Sequence, residues 1–187
     1  MSDTKGKLIV ISAPSGTGKG TVIGELLKLR PEFVFSVSAT TRSPRPGEKD
    51  GVDYHFLTQD RFREMISNDE FLEYAQYVGE YYGTPVKPIR ECVDSGGTII
   101  LDIEVQGAKQ VMSKVPDAIT IFIVPPNMEE LERRLRGRGT DSEKKLAARL
   151  ERACQELNEK SHYNYTVVND NVSRAADEIL SIIDRKD

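Results

Sequence analysis

Along the chain, short unbroken apolar runs alternate with segments whose apolar positions recur at helical spacing. Leu8-Ile9-Val10-Ile11 contains no polar residue, which is the pattern of a strand covered on both faces. Similar runs at Phe33–Val37, Thr98–Leu101, Ile119–Val124 and Tyr165–Val168 bring the candidate core strands to five. Between them, Thr21–Leu29, Pro85–Asp94, Val105–Lys114 and Met128–Lys160 predict helices. Ala175, Ile179, Ile182 and Ile183 fall at helical spacing in a closing helix over Arg174–Asp187. Such alternation predicts an α/β fold, a five-stranded parallel sheet with helices on both faces.

Two stretches interrupt the alternation. Residues 36–87 carry strand-like pieces at Tyr54–Leu57 and Tyr77–Tyr82 and one helix near Arg61–Ser67, which predicts a small α+β insertion. Residues 126–160 are charged and helical, with Leu146, Leu150, Cys154 and Leu157 on one face. Thr140-Asp141-Ser142-Glu143 has the spacing of a capping box, and Gly137 and Gly139 break the helix just before it. Two helices joined by an arginine-flanked turn suit a segment that swings. Residues 1–35, 88–125 and 161–187 are left as the core.

At 187 residues the chain is long enough for one domain with its own core. Apolar residues make up 38% and charged residues 30%, a globular rather than disordered balance. With 26 basic against 30 acidic side chains, the net charge of -4 argues against nonspecific nucleic-acid binding. Cys92 and Cys154 make no disulfide framework, and with His55 and His162 they show no metal-ligand spacing. The polar start, Met1–Lys7, and the short first apolar run fit neither a signal peptide nor a membrane span. The expected setting is a reducing cytoplasm, with neither membrane nor nucleic acid as partner; the sequence sets no oligomeric state.

Candidate chemistry begins after the first strand, at Ala13-Pro14-Ser15-Gly16-Thr17-Gly18-Lys19-Gly20-Thr21. A loop of small residues frees backbone N–H groups to face an anion, and the helix that follows presents its positive end to the same anion. Lys19 adds a mobile point charge. Against the phosphate-binding template G-x-x-x-x-G-K-[ST], Ala13 replaces the first glycine and Gly20 the hydroxyl that usually reaches magnesium. Thr21 stands next in line to serve the phosphates. A ligand-free glycine turn is the plainer reading, but the lysine after a buried strand in an alternating chain favours nucleoside triphosphate binding. The run Thr98–Leu101 leads into Asp102 and Glu104, which alternation places on one side at a strand's carboxyl end, where ligands of open α/β sheets bind.

Several further motifs follow in order. They are Ser38-Ala39-Thr40-Thr41-Arg42-Ser43-Pro44-Arg45, Gly47-Glu48, Gly51-Val52-Asp53-Tyr54, Glu73-Tyr74-Ala75, Tyr81-Tyr82-Gly83-Thr84, Leu101–Gly107 and Arg136–Thr140. From Leu8 to Asn169 the chain resembles the guanylate kinases. The resemblance implies a P-loop NTPase-type core, a GMP-binding insertion at 36–87 and a helical lid at 126–160. It implies transfer of the γ-phosphoryl group of ATP to GMP or dGMP, with magnesium held mainly by phosphates and water rather than by protein ligands.

By the same resemblance, Arg42 and Arg45 clamp the GMP phosphate with Tyr54 and Tyr82. Glu73 reads guanine, Ser38 and Thr84 lie toward its O6 side, and Asp102 and Glu104 help hold GMP. Residues 13–21 hold ATP; Arg134, Arg138 and Arg149 close on the triphosphate, and Asn169 lies near the adenine. Lys19, Arg42, Asp102, Arg138 and Arg149 are the expected catalytic set. The rival readings are an AMP or thymidylate kinase, with little use for Glu73 and the double-arginine loop, and a catalytically inert scaffold domain, which would lack a working phosphate loop.

Overall fold

The apolar runs read as strands do pair. The computed structural model describes residues 6–137 and 142–185. Its elements are β1 (Lys7–Ser12), α1 (Lys19–Leu29), β2 (Val34–Phe35), β3 (Ala39–Thr40), β4 (His55–Phe56), α2 (Gln59–Ser67), β5 (Phe71–Tyr77) and β6 (Glu80–Pro85). Then come α3 (Val86–Asp94), β7 (Thr98–Asp102), α4 (Val105–Lys114), β8 (Ile119–Val124), α5 (Met128–Arg136), α6 (Glu143–Leu157), a short 3-10 turn, β9 (Tyr165–Val168) and α7 (Val172–Asp184). A five-stranded sheet runs β2-β7-β1-β8-β9, and a four-stranded sheet runs β4-β3-β6-β5. The β1–β8, β2–β7 and β8–β9 pairs are parallel, in keeping with the near-continuous apolar runs of β1 and β8.

Contacts group the chain into two compact units. One gathers 33–101 and 106–118 with the segment ending at Leu8; the other gathers 9–32, 102–105 and 119–187. In the second unit, Ile9, Val10, Ile11, Ile121, Phe122 and Ile123 are fully buried. α7 packs on α1 and β9, burying Ala175, Ala176, Ile179, Ile182 and Ile183. Leu131, Leu135, Leu146 and Ala153 form a separate apolar cluster where α5 meets α6. In the first unit Phe62 stacks on Phe71 of β5 and Tyr81 of β6, at centroid distances of 4.3 and 5.3 Å, in an apolar cluster with Ala39 and Met65. Among the described residues no helix is long and apolar enough to cross a membrane.

Four local expectations are corrected. Only Val34–Phe35 of the run Phe33–Val37 forms a strand. Tyr77–Tyr82 is not one strand: Tyr77 ends β5 and Glu80 opens β6, and between them Val78 (φ 50°) and Gly79 (φ 84°) both take the left-handed conformation of a two-residue turn. The cap of α6 is Ser142, whose hydroxyl accepts from the Lys145 N–H, and the expected cap Thr140 lies outside the described residues. Cys154 is exposed, and the buried position on that helix belongs to Ala153.

Candidate active site

The phosphate loop lies within the second unit, between β1 and α1. Gly16 and Gly18 have φ of 89° and 90°, a conformation L side chains resist. A Cβ there would also strike Leu135 Cδ2 at 2.6 Å and Asn169 Nδ2 at 2.8 Å respectively. Sequence and packing therefore agree on glycine at both. Pro14 and Thr17 are buried, Ala13 is half-buried, and Ser15, Gly20 and Thr21 are exposed. The Thr17 hydroxyl donates to Pro14 O at 2.7 Å, which closes the loop on itself.

The loop is fastened from behind. Thr17 O accepts from Asn169 Nδ2 at 2.8 Å and from Arg134 Nη1 at 2.9 Å. Arg134 Nη2 donates to Asn169 O at 3.0 Å and Nε to Glu130 Oε1 at 2.7 Å. Arg133 and Arg134 together hold the Glu130 carboxyl down at about 2. Arg134 thus braces the loop. Asn169 is buried, and its Oδ1 has no hydrogen-bond partner among the described residues.

At the start of α1, Lys19 Nζ lies 2.5 Å from Asp102 Oδ1 and donates to Ile103 O at 3.3 Å. Ser12 Oγ donates to the same carbonyl at 2.8 Å. Asp102 and Glu104 have different protein partners: Glu104 accepts from Arg152 Nη2 at 2.9 Å. Arg149 Nη2 donates to Ser15 Oγ at 2.7 Å, reaching the loop from α6. Arg138 lies outside the described residues.

The first unit holds the remaining expected residues. Arg42 donates from Nη1 and Nη2 to the two Glu48 oxygens at 2.8 and 2.9 Å, and from Nη1 to Ser43 O at 2.8 Å. Its guanidinium carbon lies 5.3 Å from the Tyr54 ring centroid and 5.8 Å from that of Phe56. Tyr54 meets Tyr82 edge-on at 6.3 Å. The Arg45 side chain is exposed while its backbone N–H donates to Glu48 at 2.7 Å. Arg42, then the Arg45 N–H, hold the Glu48 carboxyl at about 2, and Glu48 in turn raises Arg42.

Glu73 is buried on β5 opposite Thr84 on β6. The Thr84 hydroxyl, itself buried, donates to Glu73 Oε1 at 2.5 Å. Ser38 is half-buried just before β3, and its carbonyl accepts from His55 N–H at 2.8 Å. A carboxylate paired with a hydroxyl, and an arginine fork spread by a second carboxylate, are two polar features of this unit.

A family model described as guanylate kinase matches residues 5–186. The guanylate kinase of Lactococcus lactis subsp. lactis (strain IL1403) is 53% identical over 180 residues, covering 96% of this chain and 88% of that one. That of Streptococcus thermophilus (strain CNRZ 1066) is 54% identical over 181 residues, with coverage of 96% and 87%. The chain belongs to the guanylate kinase family. A crystal structure of guanylate kinase from Anaplasma phagocytophilum matches with a TM-score of 0.79 and 37% identity, covering 97% of this chain and 86% of that one. As a guanylate kinase, the chain is a nucleoside monophosphate kinase that uses ATP to phosphorylate GMP to GDP.

Within this guanylate kinase two contributors escaped the reading of single residues. Glu48 was visible only as part of a motif, and its grip on Arg42 depends on a loop that returns after six residues. Gly107 follows the acidic pair at the start of α4, and nothing in its own neighbourhood signals that Glu73 packs against it.

Proposed function

We propose that the first unit, through the insertion at 36–87, binds GMP, and that the phosphate loop of the second unit, with the lid at 126–160, binds ATP. The observation that carries the base assignment is the buried Glu73 carboxylate held by Thr84. Guanine offers N–H donors at N1 and N2 side by side, and a carboxylate accepts both; adenine offers a bare acceptor at N1, which it repels. Ser38 and Thr84 stand toward O6. Arg42 and Arg45 take the GMP phosphate, with Tyr54 and Tyr82 as neutral donors, because an arginine fork matches phosphate oxygens bidentately. These groups recognise base and phosphate, so dGMP is a substrate as well.

On the donor side, the N–H groups of residues 13–21 cradle the phosphates. Lys19 shifts from Asp102 toward the group in transfer, with Arg138 and Arg149 completing the positive surround. Arg134 supports the loop from behind, and the free Oδ1 of Asn169 accepts the adenine amino group. The acceptor phosphate is already anionic near neutral pH, so no strong general base is needed. The protein aligns the two phosphates, neutralises their repulsion and keeps water out.

The oxygen donors present suit magnesium. Among the described residues no cluster of three His, Cys, Asp or Glu converges, while Asp102 and Glu104 are hard carboxylates that would hold the ion through its waters. Bound there, it supplies charge neutralisation on the phosphates. Two free cysteines suit a reducing, cytoplasmic setting.

The test is ADP release from ATP and magnesium with GMP, dGMP, AMP, CMP or dTMP as acceptor. GMP and dGMP should support turnover, with the others at least about a hundredfold poorer, the scale at which unpaired buried polar groups reject a wrong partner. Comparable use of AMP would overturn the assignment of Glu73.

A further inference from the structure

Three consecutive residues of β5 are each met by a different residue of one helix face. Lys114 Nζ donates to Leu72 O at 2.6 Å. Gln110 holds both backbone groups of Tyr74, accepting from its N–H at 3.3 Å and donating to its carbonyl at 2.8 Å. Between them, the Glu73 carboxylate lies against Gly107, where a Cβ would come within 2.9 Å of Cδ and collide with Oε2. Gly107, Gln110 and Lys114 are three and four residues apart on α4 and so share one face.

The strand needs such help for two reasons. β5 is the outer strand of the four-stranded sheet, so its outward backbone groups face no strand among the described residues. Its register also shifts between Phe71 and Glu73, where one extra residue breaks the alternation and re-aims the side chains that follow. Phe71, Leu72 and Glu73 are all buried in succession, which a regular strand would not give. A bulge next to an unpaired edge is mobile unless something holds it. Here Gln110 substitutes for a neighbouring strand, and Lys114 holds the carbonyl inside the bulge.

We propose that this face of α4 sets the enzyme's selectivity for guanine: Gly107, Gln110 and Lys114 are positioning residues that fix the Glu73 carboxylate where it meets N1–H and the 2-amino group together. The inference rests on the reading of Glu73 as the guanine reader. Two parallel N–H groups must meet two acceptor lone pairs in one plane. A small displacement of the carboxylate therefore forfeits one contact before the other. Hypoxanthine, which lacks the 2-amino group, loses less by that displacement than guanine does. Selectivity for GMP over IMP thus reports the carboxylate's position, and mere loss of stability would not change it.

The experiment measures kcat/KM for GMP and IMP, and KM for ATP, in the parent, Gly107→Ala, Gln110→Ala, Glu73→Gln and the double variant Gly107→Ala with Glu73→Asp. Alanine is a better helix former than glycine, so α4 itself is not weakened. Gly107→Ala should lower the GMP-over-IMP ratio about tenfold, the size of one lost charge-assisted hydrogen bond, with the ATP KM essentially unchanged. Gln110→Ala should act in the same direction and less. The shorter aspartate makes room for the new methyl group, so the double variant should regain part of the ratio lost by Gly107→Ala. A parent-like ratio in folded Gly107→Ala and Gln110→Ala overturns the proposal, and if Gly107→Ala does not fold, Gln110→Ala decides alone. Glu73→Gln keeps the two claims apart. If it leaves the ratio intact, the guanine reading itself fails; if it collapses the ratio while the α4 variants do not, only the positioning role fails.

Discussion

The two proposed phosphate grips are built on opposite plans. In the second unit the grip is mostly backbone, nine consecutive residues around a helix start, with one flexible cation, Lys19, opposed by one acid, Asp102. In the first unit the cation is a planar fork, Arg42, already spread by both oxygens of Glu48, tied to Ser43 O and lying near two aromatic rings. The contrast follows from what each phosphate does in a kinase of this family. The acceptor phosphate stays where it binds, so a rigid fork serves it. The transferring group moves, and a point charge on a four-carbon stem can follow it. The acids beside the cations differ accordingly: Asp102 faces a single ammonium, whereas Glu48 holds a guanidinium through both of its oxygens.

The sharpest way to break this contrast is Lys19→Met. A mobile cation that acts on the moving group contributes in the transition state, so kcat should fall by about 10²–10³, the range for removing one such electrostatic stabiliser. The KM for GMP should stay near the parent value. Steady-state kinetics with each substrate varied makes the check. A fall in kcat of less than about tenfold would mean that the backbone cradle and the lid arginines carry the charge without Lys19.

The same contrast explains what could be read before the fold was known. The loop from Ala13 to Thr21 is contiguous, so its glycines and lysine announce themselves, and the apolar runs of β1, β7, β8 and β9 are long enough to mark strands. The candidate GMP residues of the first unit are scattered over the loop between β3 and β4, over β5 and β6, and at Ser38 just before the two-residue β3. Nothing periodic marks Ala39–Thr40. Val78 hid the hairpin, because a β-branched residue in a left-handed turn contradicts its own propensity. The α4 face escaped because helical spacing identifies a face without saying what lies across from it. Arg134 shows another limit: its sequence position suggests a lid arginine, and only the fold shows it bonded to the carbonyls of Thr17 and Asn169.

A second, smaller effect probes the rigid fork. Glu48→Gln removes the charge that keeps Arg42 spread, so GMP KM should rise a few-fold while ATP KM and kcat hold. The pH dependence follows from the direction of the shift. The Glu48 carboxyl sits at about 2, below its ordinary 4.5, so its contribution to stability is complete above that ordinary value and disappears as pH falls toward 2. The difference in melting temperature between parent and Glu48→Gln should therefore be flat above about pH 5 and shrink steadily on acidification. Differential scanning calorimetry across that range measures it. A difference that grows toward low pH would show that Glu48 is not held by Arg42.

The smallest effect concerns glycines in and beyond the loop. Gly16 and Gly18 have left-handed φ, and a methyl group there would strike Leu135 or Asn169. Gly24 lies inside α1, and nothing stands within 4 Å of where its Cβ would be. If the backbone grip depends only on the loop and the first turn of α1, Gly24 is glycine without need. Gly24→Ala should then raise stability by about 0.5–1 kcal/mol, because alanine loses less backbone freedom in a helix interior. In a chain of this size that is a rise of about 1–4 °C in Tm, with both KM values and kcat unchanged. A stabilised variant whose ATP KM rises would extend the functional grip a full turn further along α1 than the loop geometry implies. The backbone plan of the second unit would then reach deeper into the helix than the rigid fork of the first unit reaches into its own strands.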